Sequence, residues 1–281
     1  MTGTDFEHFS RLALARSGLV LKADKAYLVQ SRLEPIARAL GLPGVPELLE
    51  RLRAGAPEPV VQRCVDAMAT HESMFFRDTK PFEQIAAIAA PELVVARSPG
   101  RPIRIWSAAC SSGQEPYSLA ILMQELGGLL GGRRVEIIAT DMSEAILSKA
   151  REGYYSDFEV RRGLSPERLK QWFRPSGTGW EVAPQLKAMV SFHKHNLLDA
   201  PAGLGVFDIV LCRNVLIYFE PAGKAKVLER VATAIAPDGV LFLGSAETVI
   251  GLTSAFVAPI GAQGFYRPCT DGVAPVARQT A

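Results

Sequence analysis

The chain has 281 residues, 48% of them hydrophobic, and its 31 Lys and Arg nearly balance 29 Asp and Glu. This gives one large globular domain or two smaller ones, excludes a disordered chain, and leaves no bulk positive charge of the kind that holds nucleic acid. Cys64, Cys110, Cys212 and Cys269 are widely spaced with no C-x-x-C, which argues against a disulfide scaffold or thiolate zinc site and fits the reducing cytoplasm. Met1 to Phe9 carries acids and no apolar core, so no signal peptide is expected there, and no run of about 18 apolar residues is present to span a membrane.

Residues 1–70 read as a small helical domain. Phe6, Phe9, Leu12, Leu14 and Leu19 recur near helical spacing. A second helix is predicted from Ala23 to Leu40, kinked or broken at Pro35 and stopped by Gly41-Leu42-Pro43-Gly44. Two shorter helices are predicted over Pro46 to Ala54 and Pro59 to Met68. Lys25, Arg32 and Arg38 lie on the second helix, either as a solvated face or as a basic contact for an acidic partner. A connector spans 71–95 and contains Phe75-Phe76-Arg77-Asp78. Its two phenylalanines read as anchors onto the following domain, and Ser73 and Arg77 as groups turned back toward a site.

From 96 to 281 strands alternate with helices, the pattern of a mostly parallel sheet covered on both faces. Strands are predicted over 103–106, 135–140, 189–195, 207–212 and 240–244, with helices over 116–126, 143–151 and 222–236. Phe256-Val257 and Gly264-Phe265-Tyr266-Arg267 would close the sheet as an antiparallel hairpin. The interval between Arg151 and Met189 is too long for a simple connection. It holds a predicted helix at Pro166 to Trp172, a Gly177-Thr178-Gly179 turn and a short strand at Trp180-Glu181-Val182, read as an inserted subdomain over about 155–188. Insertions of this kind often recognise partners or substrates.

The most informative stretch is Arg104-Ile105-Trp106-Ser107-Ala108-Ala109-Cys110-Ser111-Ser112-Gly113-Gln114-Glu115-Pro116-Tyr117-Ser118: a buried strand, a turn of small residues, then a helix with Pro in its first turn. Such a turn lets a backbone approach a nucleotide closely. Its Ala109, Ser111 and Gly113 are not the G-x-G-x-x-G of a dinucleotide site, and no P-loop is present. Asp141 ends the second strand, where it would accept hydrogen bonds from ribose hydroxyls or cap the next helix. Asn196-Leu197 and Arg213-Asn214 end later strands. Ligands of open α/β sheets sit beyond strand carboxyl ends. These groups therefore suit an adenosine without a pyrophosphate, such as S-adenosylmethionine, with Arg77 and Glu115 as counter-charges for its amino-acid end.

Together with Phe75-Phe76-Arg77-Asp78, Thr140-Asp141, Asn196-Leu197-Leu198 and Cys212-Arg213-Asn214-Val215-Leu216-Ile217-Tyr218-Phe219, the stretch from Trp106 to Ser118 resembles the chemotaxis receptor protein-glutamate O-methyltransferase (CheR) family over nearly the whole chain. The resemblance implies an all-helical domain followed by a class I, Rossmann-like methyltransferase domain with an inserted β-subdomain. It implies S-adenosyl-L-methionine as cofactor, S-adenosyl-L-homocysteine as product, and the cytoplasmic domain of chemoreceptors as partner, with neither nucleic acid nor membrane insertion. A monomer is expected. His71, Ser73, Arg77, Glu115, Asp141, Asn196, Leu197, Arg213 and Asn214 are implied to line the cofactor site. His71 and Ser73 stand where the family commonly has Asn and Thr.

A glutamate side chain, with a pKa of about 4.3, is already an anion at neutral pH. It would attack the sulfonium methyl directly, with no general base drawn from His8, His71, His193 or His195. Arg77 is expected to serve mainly the cofactor, and Arg213 and Tyr218 to position the glutamate. Lys25, Arg32 and Arg38 would dock the acidic methylation helices of the receptor. The His193-x-His195 pair lacks an evident third ligand, so no metal is expected. A nicotinamide dehydrogenase is disfavoured by the turn. A methyltransferase for small molecules or nucleic acid, and a catalytically dead cofactor binder, are disfavoured by the helical domain and the full motif set.

Overall fold

The computed structural model describes residues 2–88, 92–96, 98, 100–259 and 264–269. The connector residues 89–91 and the chain end expected to complete the catalytic domain at 281 lie outside them. The chain forms two compact units: one runs up to His71 and also holds Tyr218–Lys224, and the other contains Glu72–Ile217 and the chain from Ala225 onward.

The first unit is helical, with α1 (Gly3–Ser17), α2 (Ala26–Ala39), α3 (Val45–Arg53) and α4 (Glu58–Asp66). Thr2 and Asp5 close a capping box at the start of α1, which satisfies backbone donors left over by the helix. Phe9, Val29, Leu33, Val45, Leu48 and Val65 are fully buried, at the periodic apolar positions that make these segments helices. A 3-10 turn at Ala23–Lys25 precedes α2, and Pro35 lies inside α2 without ending it. Leu19 pairs with Phe219 in an antiparallel bridge, and the Val20 amide donates to the Tyr218 carbonyl at 3.0 Å.

The second unit contains, in order, α5 (Lys80–Ile88), α6 (Val94–Ala96), β1 (Ile103–Ala108), α7 (Gln114–Leu126), β2 (Val135–Asp141), α8 (Glu144–Glu152), β3 (Tyr154–Ser156), α9 (Asp157–Arg161), α10 (Pro166–Trp172), β4 (Phe173–Ser176), β5 (Gly179–Val182), α11 (Pro184–Lys187), β6 (Val190–Lys194) and β7 (Phe207–Cys212). After α12 (Pro221–Ala232), which begins in the first unit, come β8 (Ile235–Leu243), β9 (Phe256–Val257) and β10 (Phe265–Pro268). The main sheet has the order β6-β2-β1-β7-β8-β10-β9. Its first five strands are parallel, β10 runs antiparallel to β8, and β9 runs antiparallel to β10. All six residues of β7 are buried, as a central parallel strand requires. The five strands are parallel, so the turn after β1 and the ends of β2, β6, β7 and β8 lie along one edge of the sheet.

Two features lie outside the predicted elements. The connector carries α5, whose Phe82, Ile85 and Ile88 are buried at helical spacing. Pro237-Asp238-Gly239 lies inside β8, where the pairing with β7 shifts register between Phe207 and Ile209. A bulge is one of the few places in a sheet that tolerates proline.

The insertion is a three-stranded antiparallel sheet, β3-β5-β4, with α9 and α10 beside it. It grips the connector. Phe75 is fully buried and meets Tyr155 and Phe173 edge-on, with centroids 5.1 and 5.3 Å apart. Gly163 approaches so closely at a φ of 108° that a Cβ there would collide with the Phe75 carbonyl oxygen. The Arg168 guanidinium lies 3.9 Å from the Phe76 ring centroid. The two phenylalanines are thus anchors, each contributing on the order of 2 kcal/mol by burial.

Candidate active site

Beyond Ala108 the chain turns into α7 through three alternating left-handed residues: Ala109 at φ 57°, Ser111 at 53° and Gly113 at 94°. Two of the three, Ala109 and Ser111, are not glycine. Left-handed backbone costs an L residue roughly 1–2 kcal/mol, so Ala109 and Ser111 must be held there. The Cys110 amide donates to the Thr140 carbonyl at 2.8 Å, the Ser111 amide to Asp141 Oδ2 at 3.0 Å, and the Tyr155 hydroxyl to the Ser112 carbonyl at 2.7 Å. A Cβ at Gly113 would lie 2.9 Å from the Tyr155 hydroxyl and 3.0 Å from Ala150 Cβ. Strain maintained by its surroundings is characteristic of functional sites.

Asp141 is buried at the end of β2, and its Oδ1 accepts the Ser143 amide at 3.1 Å. It is not the cap residue of α8, since Ser143 holds that position. Its carboxylate joins two loops. Asn196 accepts the Leu198 amide on Oδ1 at 3.0 Å, and Leu197 is buried beside it in the chain.

Glu115, in the first turn of α7, accepts the Ser107 hydroxyl at 2.8 Å on Oε1 and Arg213 Nη1 at 2.9 Å on Oε2. Arg213 Nη2 donates to the Arg77 carbonyl at 2.7 Å and to Asp78 Oδ2 at 2.9 Å. Arg213 therefore ties the connector and the start of α7 to the end of β7. Ser118 adds a second tie, accepting the Phe76 amide at 2.9 Å. Phe76 and Asp78 have φ of 49° and 62°, so the connector too is held under strain. Arg77 donates to the Glu72 carbonyl at 3.0 Å, and Ser73 is half-buried. Asn214, at φ 58°, donates its amide to Glu247 Oε2 at 2.8 Å.

Ser73, Arg77, Glu115, Asp141, Asn196, Leu197, Arg213 and Asn214 thus belong to the second unit, whereas His71 and Tyr218 belong to the first. The two terminal guanidinium nitrogens of Arg213, expected to meet an acceptor, bind groups of the protein itself. Arg32 is similarly engaged: Nη1 donates to the Met68 and Ala69 carbonyls at 2.6 and 3.2 Å, and Nη2 to Thr70 Oγ1 at 3.2 Å, just beyond the end of α4. Lys25 and Arg38 lie beside Asp24 and Glu34, at 3.8 and 3.2 Å. Sequence reasoning gave no role to Asp78, Ser107 or Glu247. Asp78 sat inside a quoted motif, and Glu247 follows a strand end as Gly244-x-x-Glu247.

Cys110 and Cys212 are buried at the ends of β1 and β7. Burial, reinforced for Cys110 by Asp141 and Glu115 and for Cys212 by Glu247 and Glu115, pushes both thiols well above their ordinary range. Neither can serve as a thiolate nucleophile near neutral pH. His195 lies edge-on to Trp106 at 5.9 Å, and burial lowers its pKa against the opposing pull of Asp199. Among the described residues no group of three or more His, Cys, Asp or Glu side chains is placed to hold a metal ion, and no helix is long and apolar enough to cross a membrane.

The donor set fits S-adenosylmethionine: a buried carboxylate after β2, an amide and a buried leucine after β6, opposite charges near the start of α7, and a turn without the glycine fingerprint of a pyrophosphate site. Residues 71–260 match the CheR methyltransferase, SAM binding domain, and residues 4–69 match the CheR methyltransferase, all-alpha domain. The chain is 45% identical over 257 residues to chemotaxis protein methyltransferase 1 of Pseudomonas aeruginosa, covering 88% of this chain and 91% of that one. It is 43% identical over 257 residues to the chemotaxis protein methyltransferase of Vibrio parahaemolyticus, covering 90% and 92%. With the Salmonella typhimurium chemotaxis protein methyltransferase it shares 34% over 262 residues, covering 91% and 88%.

The sheet, the groups at its strand ends and the matched cofactor domain define an S-adenosylmethionine-dependent methyltransferase. Both domains are those of one family, in the same order. The chain belongs to the CheR methyltransferase family.

Proposed function

We propose that this protein transfers the methyl group of S-adenosylmethionine to glutamate γ-carboxylates in the cytoplasmic domain of chemotaxis receptors, giving a methyl ester and S-adenosylhomocysteine in the cytoplasm. When bound, the cofactor supplies an electrophilic sulfonium methyl. Asp141 holds the ribose hydroxyls, Asn196 and Leu197 the adenine, and Arg77 and Glu115 the carboxylate and ammonium of the amino-acid end. His71, Ser73 and Asn214 complete the lining.

The observation that carries this reading is the pairing of Arg213 with both Glu115 and Asp78. An unopposed guanidinium would pair with the incoming carboxylate and blunt its nucleophilicity. Here that charge is balanced within the protein, so the acceptor anion stays reactive and needs only orientation and exclusion of water. Arg213 then acts by fixing Glu115 and the connector, and Tyr218 is the acceptor-side group. Lys25 and Arg38 offer positive charge to the acidic receptor helices, while Arg32 holds the end of α4 in place.

The test uses methyl-labelled S-adenosylmethionine and receptor-bearing membranes. Label that attaches to the receptor and is released by base as methanol supports the ester. Label that stays on the receptor through base treatment, or none transferred, overturns it.

A further inference from the structure

Glu247 receives four backbone amides on a single carboxylate. Oε2 accepts Asn214 at 2.8 Å and Gly244 at 2.7 Å; Oε1 accepts Val215 at 2.9 Å and Ile217 at 3.2 Å. Three of these donors lie in the loop after β7 and one at the end of β8, so one side chain pins two strand-end loops together. The bonds are charge-assisted, which makes them stronger than amide-to-carbonyl bonds. They also hold Asn214 in its left-handed conformation.

Gly244 makes the arrangement possible. A Cβ there would lie 2.7 Å from Glu247 Oε2, 2.8 Å from Asn214 Nδ2 and 2.9 Å from the Asn214 amide nitrogen. Val249 is buried just beyond, whereas Ile250 is 70% exposed. The loop is therefore anchored at Glu247 and Val249 rather than by a continuous apolar core.

We infer that Glu247 is a positioning residue for methyl transfer: its carboxylate sets the backbone from Asn214 to Ile217, the segment that joins Arg213 to Tyr218. This rests on the proposed acceptor reading, in which Arg213 fixes Glu115 and the connector and Tyr218 is the acceptor-side group. Of the residues proposed to line the cofactor site Glu247 holds only Asn214, by its backbone; the proposed ribose and adenine contacts come from the ends of β2 and β6, which Glu247 does not touch. Loss of Glu247 therefore acts on kcat, with only a small change in cofactor affinity.

The experiment compares wild type with Glu247→Gln, Glu247→Ala and Gly244→Ala. Glutamine keeps one acceptor oxygen and most of the volume; alanine removes every acceptor. The expected result is a fall in kcat for receptor methylation of at least 10-fold in Glu247→Gln and at least 100-fold in Glu247→Ala. The cofactor Kd is expected to rise less than 3-fold, and calorimetric stoichiometry to remain near one site per chain. Gly244→Ala should follow the same pattern. Amide hydrogen exchange at Asn214, Val215 and Ile217 should accelerate at least 10-fold in the glutamate variants.

A Glu247→Gln variant with wild-type kcat, or with unchanged exchange, overturns the inference. So does a loss of kcat matched by an equal loss of cofactor-binding sites, the mark of a merely unfolded fraction. Wild type that esterifies no receptor overturns the acceptor reading instead, and hydrogen exchange then still decides whether Glu247 fixes the loop.

Discussion

Arg213 and Glu115 form an ion pair at 2.9 Å in which the arginine side chain is 1% exposed. Breaking a buried pair by removing one partner leaves a desolvated charge, at a cost of about 3–5 kcal/mol. Asp78, 39% exposed, remains to compensate in part. Glu115→Gln should therefore lose about 3 kcal/mol in urea unfolding and weaken cofactor binding at least 10-fold by calorimetry. Arg213→Lys should do no better than Arg213→Ala in binding, because an ammonium cannot reproduce the forked contacts to Glu115, the Arg77 carbonyl and Asp78. A fully stable Glu115→Gln variant would show that the pair is solvated.

Gly113 and Ala109 should respond differently to exchange of alanine and glycine. Gly113→Ala places a Cβ against Tyr155 and Ala150 at an unfavourable φ, at a cost of at least about 1–2 kcal/mol from the backbone alone. Ala109→Gly relieves left-handed strain but adds unfolded-state entropy, opposing effects of about 1 kcal/mol each. Its stability should stay close to wild type. Equal destabilisation in the two variants would contradict the turn geometry.

Arg32 and Arg38 separate folding from docking. Arg32→Ala removes the bonds to the Met68 and Ala69 carbonyls and should cost about 1–3 kcal/mol. Arg38→Glu and Lys25→Glu break only exposed pairs, worth about 0–1 kcal/mol each. Both should raise the receptor KM while leaving the urea midpoint and cofactor Kd in place. Unchanged receptor kinetics in the double variant would remove these two residues from the docking surface.

The buried thiols set a pH dependence. Burial raises Cys64 to about 11 and pushes Cys110 and Cys212 well above their ordinary range. Above about pH 8.5 the unfolded chain releases thiol protons that the native chain retains. The stabilising contribution is thus complete below that pH and is lost as the medium becomes more alkaline, by up to roughly 1.4 kcal/mol per pH unit for each thiol. Urea midpoints at pH 7.5 and 10 measure the loss. Cys110→Ala should retain turnover, since no thiolate takes part.

Much of the architecture could be read from local pattern. The alternation of strands and helices, the insertion with its helix at Pro166–Trp172, and the closing antiparallel strands all carry their signal in neighbouring residues. The connector helix was missed because Phe82, Ile85 and Ile88 were overshadowed by the Phe75-Phe76 pair. The bulge in β8 was missed because Pro-Asp-Gly has the same composition in a turn and in a bulged strand. At the site, Asp141 and Glu115 stood out by position. Their partners did not: Asp78, Ser107 and Glu247 acquire their roles only from contacts across 135, 8 and 33 residues of sequence. The engagement of Arg32 by carbonyls after α4 is likewise invisible in a helical charge pattern.

The close contact of Gly163 with Phe75 bears on how this protein can be rebuilt. The β-insertion looks like an exchangeable module, inserted between α8 and β6. Yet its Gly163, Tyr155, Phe173 and Arg168 form the surface on which Phe75 and Phe76 rest, and Arg162 reaches Glu72 at 2.9 Å. A chimera that exchanges the insertion must therefore carry residues 72–76 with it. Swapped alone, a foreign insertion would lack a matching seat for the two phenylalanines, and the mismatch would show first in methyl-donor affinity rather than in receptor choice.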